Sequence, residues 1–163
     1  MSMILCLKSA TESQISSLLK DPATIEDFLD MEESSDYFEL DKAWHGIHFL
    51  LTNSAWKGAE PLCYLVCGGE EIGDIDVGYG PARALTSKQT AAFASELNKI
   101  DEAEFRRRFN PRQMMANDIY PSIWDRPIEK DDTLGYLCGY LSELKQFLEE
   151  ACKNGQGIIV WMS

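Results

Sequence analysis

Two short apolar segments stand at opposite ends of this chain, "MILCLK" at residues 3–8 and "GIIVWM" at residues 157–162. Each is bounded by small or polar residues and is too short for a helix, so each reads as a strand. Most of what lies between them carries helical periodicity. Strands at the two extremes leave unsatisfied edges unless they meet, which predicts an α+β fold: a small sheet including both terminal strands, covered by several helices. With 163 residues and no repeat, low-complexity tract or linker, the whole span 1–163 is expected to form a single domain.

Helix signals fill the interior. Thr11 with Gln14 has capping-box spacing before Ile15, Leu18 and Leu19, and Asp21-Pro22 stops that run. Thr24 and Asp27 offer a second start, and "DMEESSD" follows as a polar loop. Residues 39–52 place Leu40, Ala43, Trp44, Ile47, Leu50 and Leu51 on one apolar stripe, with His48 at its margin. "LCYLVCGG" is too short to assign by period; Pro61 in front and Gly68 behind favour a short helix, with a strand as the alternative. Residues 73–80 read as a glycine-rich loop or irregular strand. Thr86 with Gln89, Asp101 with Glu104, Asn110-Pro111 and Asp132 then open four more helices, and the last carries the stripe Leu134, Leu137, Cys138, Leu141, Leu144, Leu148 and Cys152.

The 15 Lys and Arg against 27 Asp and Glu give a net charge of −12. A field of that sign disfavours nucleic acid, and the one basic run, Arg106–Arg108, spreads around a helix and reads as a solvated segment offsetting neighbouring acids. The N-terminal residues lack a basic leader and no apolar run reaches membrane length, so the chain is expected to be cytoplasmic and free of membrane. Five cysteines without a C-x-x-C pair or suitably placed histidines read as reduced thiols, with neither a metal nor another cofactor implied. Nothing in the pattern specifies an oligomeric state.

"LDKAWHGIHFLLT", "GYGPAR", "IYP" with Trp124 beyond it, and the terminal helix followed by an apolar strand together resemble the YfbM-like family, bacterial proteins classed as a domain of unknown function. The likeness runs from Met1 to the last strand. It implies a single α+β domain in a bacterial cytosol and brings no reaction or catalytic residue with it.

The candidate site follows from "DVGYGPAR". Gly78 and Gly80 accept positive φ and Pro81 fixes its own, so the turn holds Tyr79 and Arg83 in a defined geometry. An arginine so held can offer a planar fork to a carboxylate or phosphate, or pair with an acid of its own chain among Glu70, Glu71, Asp74 and Asp76. His45 and His48 lie three apart on a helix beside Trp44, and Tyr120 and Trp124 can line an aromatic wall. No P-loop, G-x-S-x-G or G-x-G-x-x-G is present. The leading expectation is a non-enzymatic binding module in which Trp44, His45, His48, Tyr79, Arg83, Tyr120 and Trp124 receive a small anionic ligand or an acidic protein segment. A variant is an acidic protein that masks a basic partner. The alternative from another class is an enzyme acting on a small polar substrate, with His48 as acid or base and Arg83 as anion clamp.

Overall fold

The computed structural model describes residues 2–30 and 35–163. β1 (Leu5–Ala10) and β5 (Gly157–Met162) pair antiparallel along their full lengths, with Leu5 opposite Met162 and Ala10 opposite Gly157. They form the centre of a five-stranded antiparallel sheet ordered β2-β1-β5-β4-β3, with β2 at Tyr37–Glu39, β3 at Glu70–Glu71 and β4 at Arg83–Leu85. The expected α+β architecture with both terminal strands in one sheet is therefore what forms. β2 lies just after the expected "DMEESSD" loop, of which residues 31–34 fall outside the described residues. The two edge strands hold only three and two residues, and the outermost presents exposed glutamates, two devices that block further strand pairing.

Strand alternation divides the core. Leu5, Leu7, Leu85, Ile158 and Val160 face one layer of helices, namely α3 (Trp44–Thr52), α4 (Ser87–Asn98), α5 (Glu102–Arg108), α6 (Pro111–Ala116) and α7 (Thr133–Lys153). Cys6, Ala10, Ala84, Ile159 and Trp161 face the other way, onto α1 (Glu12–Lys20), α2 (Ile25–Leu29) and Ile72. Lys8 is the one charged residue buried in β1. Its Nζ donates to the Phe28 carbonyl at 2.5 Å and sits 4.7 Å from the centre of that ring. Burial pulls the ammonium below the usual lysine range, with Asp36 opposing. No helix among the described residues is long and apolar enough to cross a membrane.

The capping residues act where the sequence places them. Thr11 and Thr86 each close a full capping box with Gln14 and Gln89, and Asp101, Asn110 and Asp132 accept from the backbone N–H three residues on. Thr24 is the exception: its side chain caps nothing, and a single 3-10 turn over Pro22–Thr24 leads into α2. The helix expected over residues 39–52 begins only at Trp44, because Asp41 turns the chain with φ +44°. Every residue from Trp44 to Leu51 is buried, His48 included, so α3 is engulfed and not merely amphipathic.

Gly46 explains how α3 packs so deeply. A Cβ added there would stand 2.8 Å from Trp124 Cη2 and 2.9 Å from Leu137 Cδ2. Alanine is intrinsically the better helix former by about 1 kcal/mol, whereas overpacking a filled core costs roughly 1–3 kcal/mol. Gly46→Ala is therefore expected to lower stability by about 1–2 kcal/mol in urea denaturation; a variant more stable than the parent would show that Trp124 and Leu137 yield freely.

Candidate functional site

The turn before β4 is built by one carboxylate. Asp76 Oδ1 accepts from the N–H groups of Gly78 and Gly80, both at 2.9 Å, and these bonds hold its carboxyl below the usual range. Successive backbone N–H groups of this kind make a concavity that binds an anion, and here the chain fills it with its own. At Gly78, φ is +146° and a Cβ would lie 2.5 Å from the Met162 carbonyl oxygen, so only glycine fits. Tyr79 N–H donates to that same oxygen at 3.0 Å, docking the turn onto the end of β5. The chain then passes Pro81 and enters β4 at Arg83.

Arg83 is committed to the fold. Nη1 donates to the Gly68 carbonyl at 2.6 Å, and Nη2 donates to those of Tyr64 and Leu65 at 3.1 and 2.9 Å. These carbonyls belong to the "LCYLVCGG" stretch, which forms consecutive turns and not the short helix expected. Its helix-type bonds, Cys63 N–H to Ala59 and Cys67 N–H to Cys63, stop after one turn, and the guanidinium satisfies the carbonyls this leaves open. The fork expected to face an outside acid is thus occupied, and by carbonyls instead of a neighbouring carboxylate. Glu71 is its ladder partner, yet no carboxylate of the described residues forms an ion pair with Arg83. Burial pulls its pKa below the ordinary arginine value, and Cys67, Cys63 and Glu71 oppose this.

A cavity of about 330 Å³ lies against this arginine. Arg83, Tyr79, Pro81 and Trp56 wall it, over a floor that includes Leu5, Leu65, Val160 and Met162. Tyr79 and Trp56 remain 46% and 55% exposed, unusual for large aromatic side chains. Trp56 was not among the expected site residues. It sits in the polar stretch "NSAWKGAEP", where a single tryptophan among turn-forming residues is the only hint of a surface role.

The remaining expected residues stand behind the wall or elsewhere. The His45 ring stacks between Trp44, at 4.6 Å and 8°, and Trp56, at 4.5 Å and 44°, while Tyr120 lies 6.0 Å from Trp44. His45 Nδ1 accepts from the Tyr120 N–H at 2.9 Å, so its Nε2–H must be the donor to the Ala55 carbonyl at 2.8 Å, and one neutral tautomer is locked. Trp44, His45 and Tyr120 thus brace Trp56 without lining the cavity. Trp124 is buried, donates its indole N–H to the Ile119 carbonyl at 2.7 Å, and borders a different cavity. That second cavity, about 630 Å³, sets Arg106, Arg112 and Arg126 against Asp125, Asp131 and Asp132. Arg126 pairs with Asp131, and Arg106 pairs with Glu102, so no net charge favours a ligand there. Arg107 and Arg108 both pair with Glu104, in keeping with the solvated role expected for that run.

His48, expected at the margin of its helix, is 0% exposed and lines neither cavity. Its Nε2 lies 3.4 Å from Thr52 Oγ1, and the Lys57 backbone stands within reach of the ring. Desolvation, with lesser repulsion from His45 and Arg83, lowers its pKa to about 4. An imidazole so enclosed has no route to a substrate proton.

Two predictions follow from this arrangement. Arg83→Met strands three carbonyls and is expected to destabilise the fold by about 2–4 kcal/mol, and Arg83→Lys should recover less than half, since an ammonium cannot span all three; variants within about 0.5 kcal/mol of the parent would show that the clamp is dispensable. For His48 the folded pKa lies below the unfolded value, so the unfolded chain binds more protons between about pH 6.5 and 4 and stability falls as pH drops through that window. Burial lowers the His45 pKa as well, so both imidazoles contribute to the loss; urea denaturation at pH 7 and pH 5 should show a fall in stability that is smaller by about 2 kcal/mol in His48→Leu, and equal pH dependence in both proteins would remove His48 from the effect.

Comparison with known proteins adds the fold's relatives. A protein of unknown function from Escherichia coli, YfbM, has a solved crystal structure that superposes with a TM-score of 0.77 at 20% identity, covering 98% of this chain and 99% of that one. No curated protein matches the sequence. The family profile described as Domain of unknown function (DUF1877) matches residues 1–161, nearly the entire length. The chain shares the fold of YfbM and belongs to the family described as Domain of unknown function (DUF1877).

Proposed function

We propose that this protein is a binding module for a small organic anion, taken into the cavity beside Arg83. The observation that carries the reading is a half-buried guanidinium whose hydrogen bonds go to carbonyl dipoles, with an open cavity next to it. A half-buried cation whose hydrogen bonds go to neutral carbonyls keeps its full charge, and an incoming oxyanion would supply the countercharge that the described residues do not. Because both Nη atoms are engaged, Arg83 acts chiefly through its charge, and the remaining N–H hydrogens give at most a single-point contact. The Trp56 indole and Tyr79 hydroxyl line the same space, and neither is bonded by a described residue, so each can add a donor.

The walls define the rest of the ligand. Trp56, Tyr79 and Pro81 above an aliphatic floor suit a flat apolar body attached to the anionic group, and the volume lies at the low end for ligand sites. An aromatic carboxylate has this shape and charge. Five cysteines that form no disulfide among the described residues suit a reducing compartment, and we place the protein in the cytoplasm on that ground. The enzyme alternative finds no exposed imidazole at this cavity, and beyond the net charge of −12 no feature of the described residues points to a basic partner.

Benzoate and inorganic phosphate serve as probes for titration followed by amide and indole NMR. Benzoate is expected to shift the Trp56 indole N–H and the Tyr79 and Arg83 amides, and to bind more tightly than phosphate. Trp56→Ala, which removes a half-exposed wall and no buried bond, should weaken benzoate binding about tenfold with the circular dichroism spectrum unchanged. Saturating benzoate that leaves all three positions unmoved would dispose of the proposal.

A further inference from the structure

We infer that Cys63 and Cys67 form an oxidisable dithiol, a modification site at which a hydroperoxide converts the pair to an intrachain disulfide. The two sulfurs stand together on the single helix-like turn that Arg83 holds. The Cys63 thiol donates to the Cys67 carbonyl oxygen at 3.7 Å. The Cys67 N–H donates to the Cys63 carbonyl at 2.9 Å, which fixes the pair one turn apart. On such a turn Cβ atoms are roughly 5–6 Å apart, and a disulfide draws them to about 3.8 Å. A continuous helix would resist that movement, but here helical bonding ends at Cys67, and two glycines, Gly68 and Gly69, follow.

Accessibility assigns the roles. Cys67 is half-buried and Cys63 is buried, so the oxidant meets Cys67 first. The guanidinium of Arg83 stands beside this turn, donating to the carbonyl of Gly68, the residue after Cys67, at 2.6 Å. Desolvation, reinforced by the Cys67 hydrogen bond, pushes the Cys63 thiol up to about 12; it keeps its proton until the second step. Neither Cys138, which is buried, nor Cys152, which is half-buried, has a bond to a second cysteine among the described residues.

The chemistry closes in two steps. The Cys67 thiolate sulfur attacks the terminal oxygen of the hydroperoxide, the O–O bond breaks, and the departing oxygen takes a proton to leave as an alcohol or as water. Cys67 is then a sulfenic acid. The Cys63 sulfur attacks the Cys67 sulfur, the S–O bond breaks, and the hydroxide leaves with the Cys63 proton as water. Two thiols lose two electrons, and the hydroperoxide gains them. The turn whose Tyr64 and Leu65 carbonyls hold Arg83 is the turn that the new bond cross-links.

The test uses the full-length reduced protein with a slight excess of hydrogen peroxide, followed by blocking of free thiols, trypsin digestion and mass spectrometry. Cleavage after Lys57 and Arg83 releases a peptide, residues 58–83, that contains Cys63 and Cys67 and no other cysteine. It is expected to be about 2 Da lighter than the reduced peptide and unalkylated, and to regain both alkylation sites after reduction. In Cys63→Ser the sulfenic acid on Cys67 should persist and be trapped by dimedone, whereas Cys67→Ser should leave Cys63 unmodified. Recovery of the wild-type peptide with both thiols intact, or with added oxygen and no 2 Da loss, would overturn the inference. That reading needs only the parent protein, so a variant that folds poorly does not cloud it, and it is independent of whether the Arg83 cavity binds an anion.

Discussion

The antiparallel pairing of the first strand with the last is the constraint on which the rest of the molecule depends. It joins residues 147 to 157 positions apart, so its loop-closure entropy is the largest in the sheet, and the dense apolar burial on both faces has to compensate it. Once β1 and β5 are joined, their alternation decides everything around them. One face requires the five helices α3 to α7, the other requires α1 and α2, and β4 is placed by its register with β5, Arg83 opposite Val160. A slip of one residue there would exchange Arg83 for Ala84 across the sheet and put the guanidinium into the second core.

Register alone does not hold Arg83 where it is. The turn at residues 76–80 is anchored to β5 through Met162, and the turns at residues 61–67 end with carbonyls that need a donor. Arg83 joins the two. Its charge-assisted bonds to Gly68, Tyr64 and Leu65 are stronger individually than neutral ones, roughly 1.5–3 kcal/mol each, and they knit a stretch with little regular secondary structure to the sheet. This explains why so rigid a turn precedes a single cation: the geometry fixed by Asp76, Gly78 and Gly80 delivers a structural clamp first, and a cavity wall as its consequence.

Local signals were legible in the sequence and long-range ones were not. Capping residues and periodic stripes act within a few positions, so α1, α4, α5, α6, α7 and the two terminal strands were readable from Thr11, Thr86, Asp101, Asn110, Asp132 and the apolar ends. The short edge strands β2 and β3 exist only because a neighbouring strand is there to pair with, and three or two residues carry no period. At the site, the turn that presents Tyr79 and Arg83 was readable from glycine and proline chemistry, but the acceptors of Arg83 lie 15 to 19 residues earlier and are backbone atoms, which no side-chain pattern reveals. The histidines were placed at a site because H-x-x-H is a chemical motif; burial made His45 a brace locked by Tyr120 and Ala55, and left His48 enclosed. Trp56 escaped notice because its importance lies in being exposed beside Arg83, a relation created by the fold.

A net charge of −12 and the anion-binding role proposed for the Arg83 cavity pull against each other, and distance decides between them. Surface acids act across water and salt, where their influence fades over about 8 Å at physiological ionic strength. Arg83 acts from a poorly hydrated position at contact range. Unit charges 4 Å apart interact by about 1 kcal/mol in water and about 4 kcal/mol at the effective dielectric of a protein boundary, so one half-buried cation outweighs several screened carboxylates at the point of binding. On that proposal the acids govern approach: they would slow every anion and select against those that cannot leave the aqueous field for an apolar wall. Inorganic phosphate has no apolar surface with which to offset that repulsion, and an aromatic carboxylate has, which is why the proposal joins the ring of Trp56 and the charge of Arg83 in one site.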